Sequence, residues 1–317
     1  MTERVGQIDE VCRRLETMYV FPDVAGQLAK LLRARVADGA YDGLDDEELA
    51  AVVTEDLQSV NGDKHLRLRY HLEPVHDGGD GSFDIEAHRA EAELSGYGIA
   101  RVERLPGNVG YLDTRWLPFS EVSGPAISAA MSLLAPTDAL VIDVRQNDGG
   151  QSATSALISS YLFDEAKHLN DVYFREGDRT QQFWTSQYVP GRKFGGTKPV
   201  WVLIGPDTFS GGEDLSYSLQ QSKRAKTVGE PTRGGANPRR QYKIATHLDV
   251  TVSHARAINP VSGGNWEGCG VQPDIAVPAA EAFTTAYQLA LEQVLTLGDS
   301  GARRPVADEA RLALSEF

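Results

Sequence analysis

Val200-Trp-Val-Leu-Ile-Gly-Pro-Asp-Thr-Phe-Ser-Gly-Gly-Glu-Asp-Leu-Ser-Tyr-Ser-Leu219 is the stretch whose reading decides the fold. Five apolar residues, Val200 to Ile204, have the length and character of a strand buried on both faces. Gly205-Pro206 ends it. Leu215 and Leu219, four apart behind Ser210-Gly-Gly, mark one face of a helix. The same order occurs upstream. Ala139-Leu-Val-Ile-Asp-Val144 reads as a buried strand, Arg145-Gln-Asn-Asp-Gly-Gly150 as a loop, and Leu157, Tyr161 and Leu162 as a helix. Strand, glycine loop and helix, twice over, predict an α/β layered core. Val109-Gly-Tyr-Leu-Asp113 adds a strand, Ile127, Met131 and Leu134 a helix, and Phe283, Tyr287, Leu291 and Val294 a last long helix.

Ahead of this core the apolar period is helical. Ile8, Val11, Cys12, Leu15 and Met18 recur at three and four, as do Val24, Leu28, Leu31, Leu32 and Val36 behind Phe21-Pro22. Leu49, Val52, Val53 and Leu57 form a third stripe. At His65 the period becomes two, with Leu66, Leu68, Tyr70 and Leu72 on one side, the pattern of a half-buried strand. The expected organisation is a small helical domain ending in a strand over 1–75, a linker or mobile loop over 76–95, an α/β core over 96–297 and a tail over 298–317.

The formal net charge is -14, from 31 basic and 45 acidic residues, and no dense basic block offsets it. That field repels nucleic acid and anionic membrane surfaces, so neither is expected as a partner. No apolar run approaches the roughly 20 residues of a membrane-spanning helix. The opening Met1-Thr-Glu-Arg-Val-Gly-Gln-Ile-Asp-Glu10 has neither the basic start nor the apolar run of a signal peptide, which predicts a cytoplasmic chain. Two distant cysteines, Cys12 and Cys269, make neither a disulfide framework nor a zinc site. No metal and no cofactor is expected.

Three loops are candidates for chemistry. Ser210 opens a helix, where unpaired N–H groups and partial positive charge stabilise an alkoxide or an oxyanion. Gly211 and Gly212 let a substrate carbonyl approach the backbone. Ser210-Gly-Gly-Glu213 equally matches a capping box, in which the serine is only a helix cap. The N–H groups of Gly149 and Gly150 are candidates to complete an oxyanion hole, although the same loop also reads as a plain tight turn. A serine nucleophile needs a base, and the base needs an orienting group. Of seven histidines, His65 lies at a helix-to-strand turn suited to an exposed, rigidly held imidazole; His247 and His254 compete with it. In the third loop, Asn259 to Asp274, Glu267 stands between Trp266 and Gly268, a place for a partly desolvated carboxylate. Cys269 beside it reads as a small core residue.

Four segments in order, Asp63-Lys-His-Leu-Arg-Leu68, Asp143-Val-Arg-Gln-Asn-Asp-Gly-Gly150, Thr208-Phe-Ser-Gly-Gly-Glu213 and Asn265-Trp-Glu-Gly-Cys-Gly-Val-Gln-Pro-Asp274, resemble the tail-specific (C-terminal processing) serine peptidases, including their interphotoreceptor retinoid-binding protein-like branch. The resemblance implies a small N-terminal helical bundle and a crotonase-like ββα-spiral core. Many relatives use a lysine about two dozen residues after the serine. Gly235 stands there in this chain, so the site resembles instead the tricorn-like pattern of serine, histidine and glutamate. The implied roles are Ser210 as nucleophile, His65 as general base and Glu267 as its orienting acid. Gly211 with Gly149 or Gly150 would form the oxyanion hole. Residues 72 to 96 are too few for the PDZ domain common in the family, and Lys64 occupies the place of a second tricorn serine.

The function implied is peptide-bond cleavage through an acyl-enzyme, with a peptide or unfolded polypeptide as substrate. Two alternatives stand beside it: a non-catalytic binder of a hydrophobic small molecule such as a retinoid or fatty acid, and an esterase or peptide-tailoring enzyme of a biosynthetic pathway.

Overall fold

Pro22 in a first helical turn and the capping box of Asp45 and Glu48 fix where two of the N-terminal helices begin. The computed structural model describes residues 2–75 and 85–317. In chain order these form α1 (Thr2–Met18), α2 (Pro22–Ala37), α3 (Asp46–Gln58), β1 (Arg67–Tyr70), α4 (Ile85–Leu94), β2 (Ile99–Leu105), β3 (Val109–Thr114), α5 (Ser120–Leu134), β4 (Ala139–Asp143) and α6 (Ser152–Ser160). There follow β5 (His168–Phe174), β6 (Arg179–Trp184), β7 (Val200–Ile204), α7 (Gly211–Gln221), β8 (Lys226–Gly229), β9 (Arg239–Lys243), β10 (Leu248–Ser253), β11 (Ala255–Ile258), β12 (Ile275–Ala276), α8 (Ala282–Leu295) and α9 (Arg304–Leu314).

The chain divides into two units. The first takes Met1–Asp84, Asp171–Gln181 and Gly235–Ile258. Its core is the set of stripes expected from the sequence: Ile8, Val11, Cys12 and Leu15 of α1, Leu28 and Leu32 of α2, Leu49, Val53 and Leu57 of α3, all buried. Each such side chain contributes about 1.5–3 kcal/mol relative to exposure. The antiparallel sheet β1-β10-β9 closes this bundle with Leu66, Leu68, Leu248, Val250 and Val252, in a register that sets Arg67 opposite Thr251 and Tyr70 opposite Leu248. β11 pairs with the Asp171–Phe174 part of β5.

The second unit takes Ile85–Asn170, Gln182–Gly234 and Asn259–Phe317. Its six-stranded sheet has the order β12-β8-β7-β4-β3-β2, parallel from β12 to β3, with β2 antiparallel at the edge. Every residue of β3, β4 and β7 is buried, as strands covered on both faces require. Tyr111, Val141, Trp201 and Leu203 on one face meet Ala286, Ala290, Leu291 and Val294 of α8. Leu112, pointing the other way from Tyr111, meets Ile127 and Met131 of α5. The α/β architecture and the helical bundle expected from the sequence are therefore present.

Three boundaries differ from the expectation. Of the linker assigned to 76–95, residues 76–84 lie outside the described residues and 85–94 form α4. Its alternating Glu, His, Arg and Ala hide a narrow stripe in which only His88 and Ala92 are buried. The core assigned to 96–297 is interrupted, because 171–181 and 235–258 pair or pack within the first unit. The tail contains α9, whose Ala310 and Ala313 join the core under α8.

Candidate active site

Both glycine loops leave the carboxyl ends of neighbouring parallel strands, β4 and β7, the edge at which α/β sheets hold ligands. Asn147, wholly buried, wires the first loop. Its Nδ2 donates to Thr114 O (2.9 Å), its Oδ1 accepts Gly149 N–H (3.0 Å), and its carbonyl accepts Phe209 N–H from the second loop (2.8 Å). Gly149 has φ +122°, and a Cβ there would stand 2.9 Å from Ser210 Cβ. A Cβ on Gly211 would stand 2.7 Å from Gly150 N. The two loops are thus in backbone contact. Gly149 N–H is taken by Asn147, whereas the N–H groups of Gly150 and Gly211 donate to no other described residue.

Ser210 precedes α7 with φ 49° and ψ −110°. A non-glycine residue there carries strain of about 1–3 kcal/mol, which the surrounding contacts must hold. Glu213, wholly buried, supplies one of them. Its Oε2 accepts Ser210 N–H (2.7 Å), and its Oε1 accepts the Thr232 hydroxyl and Gly234 N–H (2.6 Å). The Thr232 oxygen in turn accepts Val271 N–H (2.7 Å), and Gly268 N–H donates to Gly234 O (3.2 Å). This chain of bonds runs from the backbone of Ser210 to the loop that carries Glu267. Glu267 itself is half-buried next to buried Trp266, and its N–H donates to Asn265 Oδ1 (2.9 Å). Cys269, expected in the core, is exposed, because the Gly268-Cys-Gly270 turn spends its packing on backbone contacts to Thr232 and Gly234.

His65 lies in the first unit, in the turn between α3 and β1. Its backbone N–H donates to Asp63 Oδ1 (2.9 Å) and its carbonyl accepts the Thr251 hydroxyl (2.6 Å). The residue expected to be exposed is instead buried, 4% exposed. Among the competing histidines, burial, reinforced by Arg240, pushes His254 down to about 4, so its ring stays neutral at ordinary pH. His247 Nδ1 bonds to His71 O (3.0 Å).

At the same sheet edge a cleft of about 580 Å³ is lined by Arg101, Asp113, Arg115, Asp143, Arg145 and Asp207 with Gly205-Pro206. Two of its arginines are paired within it, Arg145 on Asp143 and Arg115 on Asp113.

Behind Ser210, burial pushes the Asp214 carboxyl up to about 6, against Ser152, Asn170, Ser155 and Ser218, which pull it down. An acid whose folded pKa lies above its ordinary 3.8 favours the fold fully below that value. The contribution is lost as pH rises from there to about 6. Asp214→Asn is therefore expected to be the more stable protein at pH 7.5, by roughly 3 kcal/mol, and to match the wild type near pH 3.5. Urea titrations at the two pH values check this.

The sequence pattern of peptidase family S41 matches residues 108–277, more than half of the chain and all of both glycine loops. The chain belongs to peptidase family S41. Residues 3–90 of this S41 chain match the pattern described as the N-terminal domain of Peptidase S41 in eukaryotic IRBP. The carboxy-terminal processing protease CtpA of Bacillus subtilis is 22% identical over 267 residues, which cover 83% of the S41 chain and 53% of that protein. The chain spans about a third to a half of the length of the curated relatives it matches. A solved protein from Parabacteroides merdae shares the fold with a TM-score of 0.64 at 19% identity, over 94% of this chain and 98% of that one. The photosystem II D1 C-terminal processing protease does so with a TM-score of 0.54 at 18% identity, over 88% and 94%.

The sequence had offered Ser210, Gly149, Gly150, Gly211 and Glu267; the second unit places the first four together and ties the loop of the fifth to them. Asn147 and Glu213 escaped it as structural holders. Glu213 was visible only as half of a capping box, and nothing local announces its bonds to Thr232 and Gly234.

Proposed function

We propose that this S41 protein is a serine peptidase that cleaves peptide bonds of peptides or unfolded polypeptides through an acyl-enzyme. The observation that carries the reading is Ser210. It sits in a strained positive-φ conformation at the mouth of α7, against a glycine turn, in a chain of a peptidase family. Ser210 Oγ attacks the scissile carbonyl. His65 takes the hydroxyl proton and returns it to the leaving amine, and Glu267 orients the imidazolium. The oxyanion is received by Gly150 N–H and Gly211 N–H, with Gly149 shaping the turn behind them. The test is turnover of an unfolded polypeptide by wild type, Ser210→Ala and His65→Ala. Activity retained in either variant removes the assignment.

Gly149→Ala probes the loop contact. Its Cβ would press on Ser210 Cβ at 2.9 Å and sit at φ +122°. The expected loss is about 10²-fold in kcat from the displaced nucleophile. Steady-state kinetics with the soluble variant reads it; an unchanged kcat argues that the turn does not set the position of Ser210.

The match of residues 3–90 to an IRBP domain favours one second reading, a binder of retinoids or fatty acids. Fluorescence titration with both ligand classes separates it: saturable binding by Ser210→Ala without turnover by the wild type supports the binder.

A further inference from the structure

The first unit surrounds the candidate base with a buried polar hub. Asp63 is wholly buried, and its Oδ1 accepts His65 N–H (2.9 Å). Its Oδ2 accepts the Tyr19 hydroxyl (3.1 Å) from the end of α1 and Asn237 Nδ2 (3.3 Å) from the segment before β9. Asn61 Nδ2 donates to the Tyr19 oxygen (2.6 Å), so Tyr19 is itself fixed. Burial pushes the Asp63 carboxyl up, while Ser253, His65, Tyr19 and Asn237 pull it down. Taking a carboxyl out of water is costly unless its bonds are used. Closing a two-residue turn at His65 needs only one acceptor oxygen, which an asparagine also offers. The second oxygen is spent on fastening that turn to α1 and to the strand segment, which come from distant parts of the chain.

We propose that Asp63 is a positioning residue of the active site: held by Tyr19 and Asn237, its carboxyl fixes the backbone of His65 and thereby the direction of the imidazole. With the carbonyl of His65 on Thr251, both backbone groups of the base are clamped. Proton transfer needs the base within about 2.6–3.2 Å of the hydroxyl. An error near 1 Å costs about 10²-fold. The helices of the N-terminal match therefore serve as the mount of the base. This inference rests on the reading of His65 as general base.

The experiment measures kcat, KM and their pH profiles on an unfolded polypeptide, per active site, for the full chain and for Asp63→Asn, Tyr19→Phe and His65→Ala. Asp63→Asn is expected to lose about 10- to 100-fold in kcat with KM within about threefold. Its acid limb shifts, because the titratable carboxyl beside the imidazole is replaced by an amide that neither ionises nor takes up a proton. Tyr19→Phe is expected to lose about three- to tenfold in kcat, one anchor being absent. A purely structural Asp63 would lower the folded fraction yet leave kcat per site and the acid limb unmoved, and that result overturns the inference. If Asp63→Asn does not fold, Tyr19→Phe decides by the same readout, wild-type kcat counting against. Wild-type kcat in His65→Ala instead removes the base, and the inference with it, whatever Asp63 does.

Discussion

Ser210→Ala is expected to lower kcat by about 10⁴–10⁶-fold, roughly 5–8 kcal/mol of transition-state stabilisation. The loss is large because the hydroxyl is the atom that forms the acyl bond, and nothing beside it can substitute. Exposed Cys269 lies in a different turn, and Asp214 is a buried residue of α7 that accepts a hydrogen bond from Asn170. The melting temperature should move little. Alanine keeps the Cβ and the positive φ, and Glu213 still accepts the N–H of residue 210. Ser210→Gly separates strain from chemistry. It should be equally inactive and more stable by about 1 kcal/mol, since glycine adopts φ 49° without penalty. Calorimetry and active-site titration on the three proteins check both halves. A stable, active Ser210→Gly contradicts the assignment outright.

His65→Ala is the second large effect, again about 10⁴–10⁶-fold in kcat. A serine hydroxyl at neutral pH is a poor nucleophile until a base removes its proton. Among the described residues, two other histidines are already committed elsewhere. The His254 ring is held neutral near 4 by burial but packs against Phe174, and His88 Nε2 is occupied by Phe119 N–H. Residual turnover in His65→Ala should rise with hydroxide concentration, without the acid limb of the wild type. Because the ring is 4% exposed, its removal also costs about 1–3 kcal/mol of stability. Rates are therefore compared per folded molecule. An acid limb retained in the variant assigns that limb to another group.

The parts of this molecule that were legible in its sequence are those encoded over a few residues. The run Val200 to Ile204, Gly205-Pro206 and the spacing of Leu215 and Leu219 specify a strand, a stop and a helix within twenty positions, so Ser210 fell at a helix mouth as read. The three N-terminal stripes are equally local, and most of their residues are buried. What was not legible depends on partners far away in the chain. His65 reads as exposed because Arg67, Arg69 and His71 alternate around it, yet it is buried, with its carbonyl bonded by Thr251 from 186 positions away. Glu213 reads as a local cap, and its bonds to Thr232 and Gly234 need the loop after β8 to return. Helix α4 was missed because its charged faces imitate a solvated linker, and only His88 and Ala92 turn inward. Asp63 looks like a turn residue in any single window. Its weight comes from Tyr19 and Asn237, 44 positions before and 174 after it.

The most direct measurement is the site of covalent capture. Wild-type protein is treated with a fluorophosphonate, digested with trypsin and sequenced by tandem mass spectrometry. The account predicts a single adduct on Ser210, within the peptide Phe194–Lys223, and its disappearance in His65→Ala. An adduct on any other residue, or undiminished capture at Ser210 without His65, contradicts it.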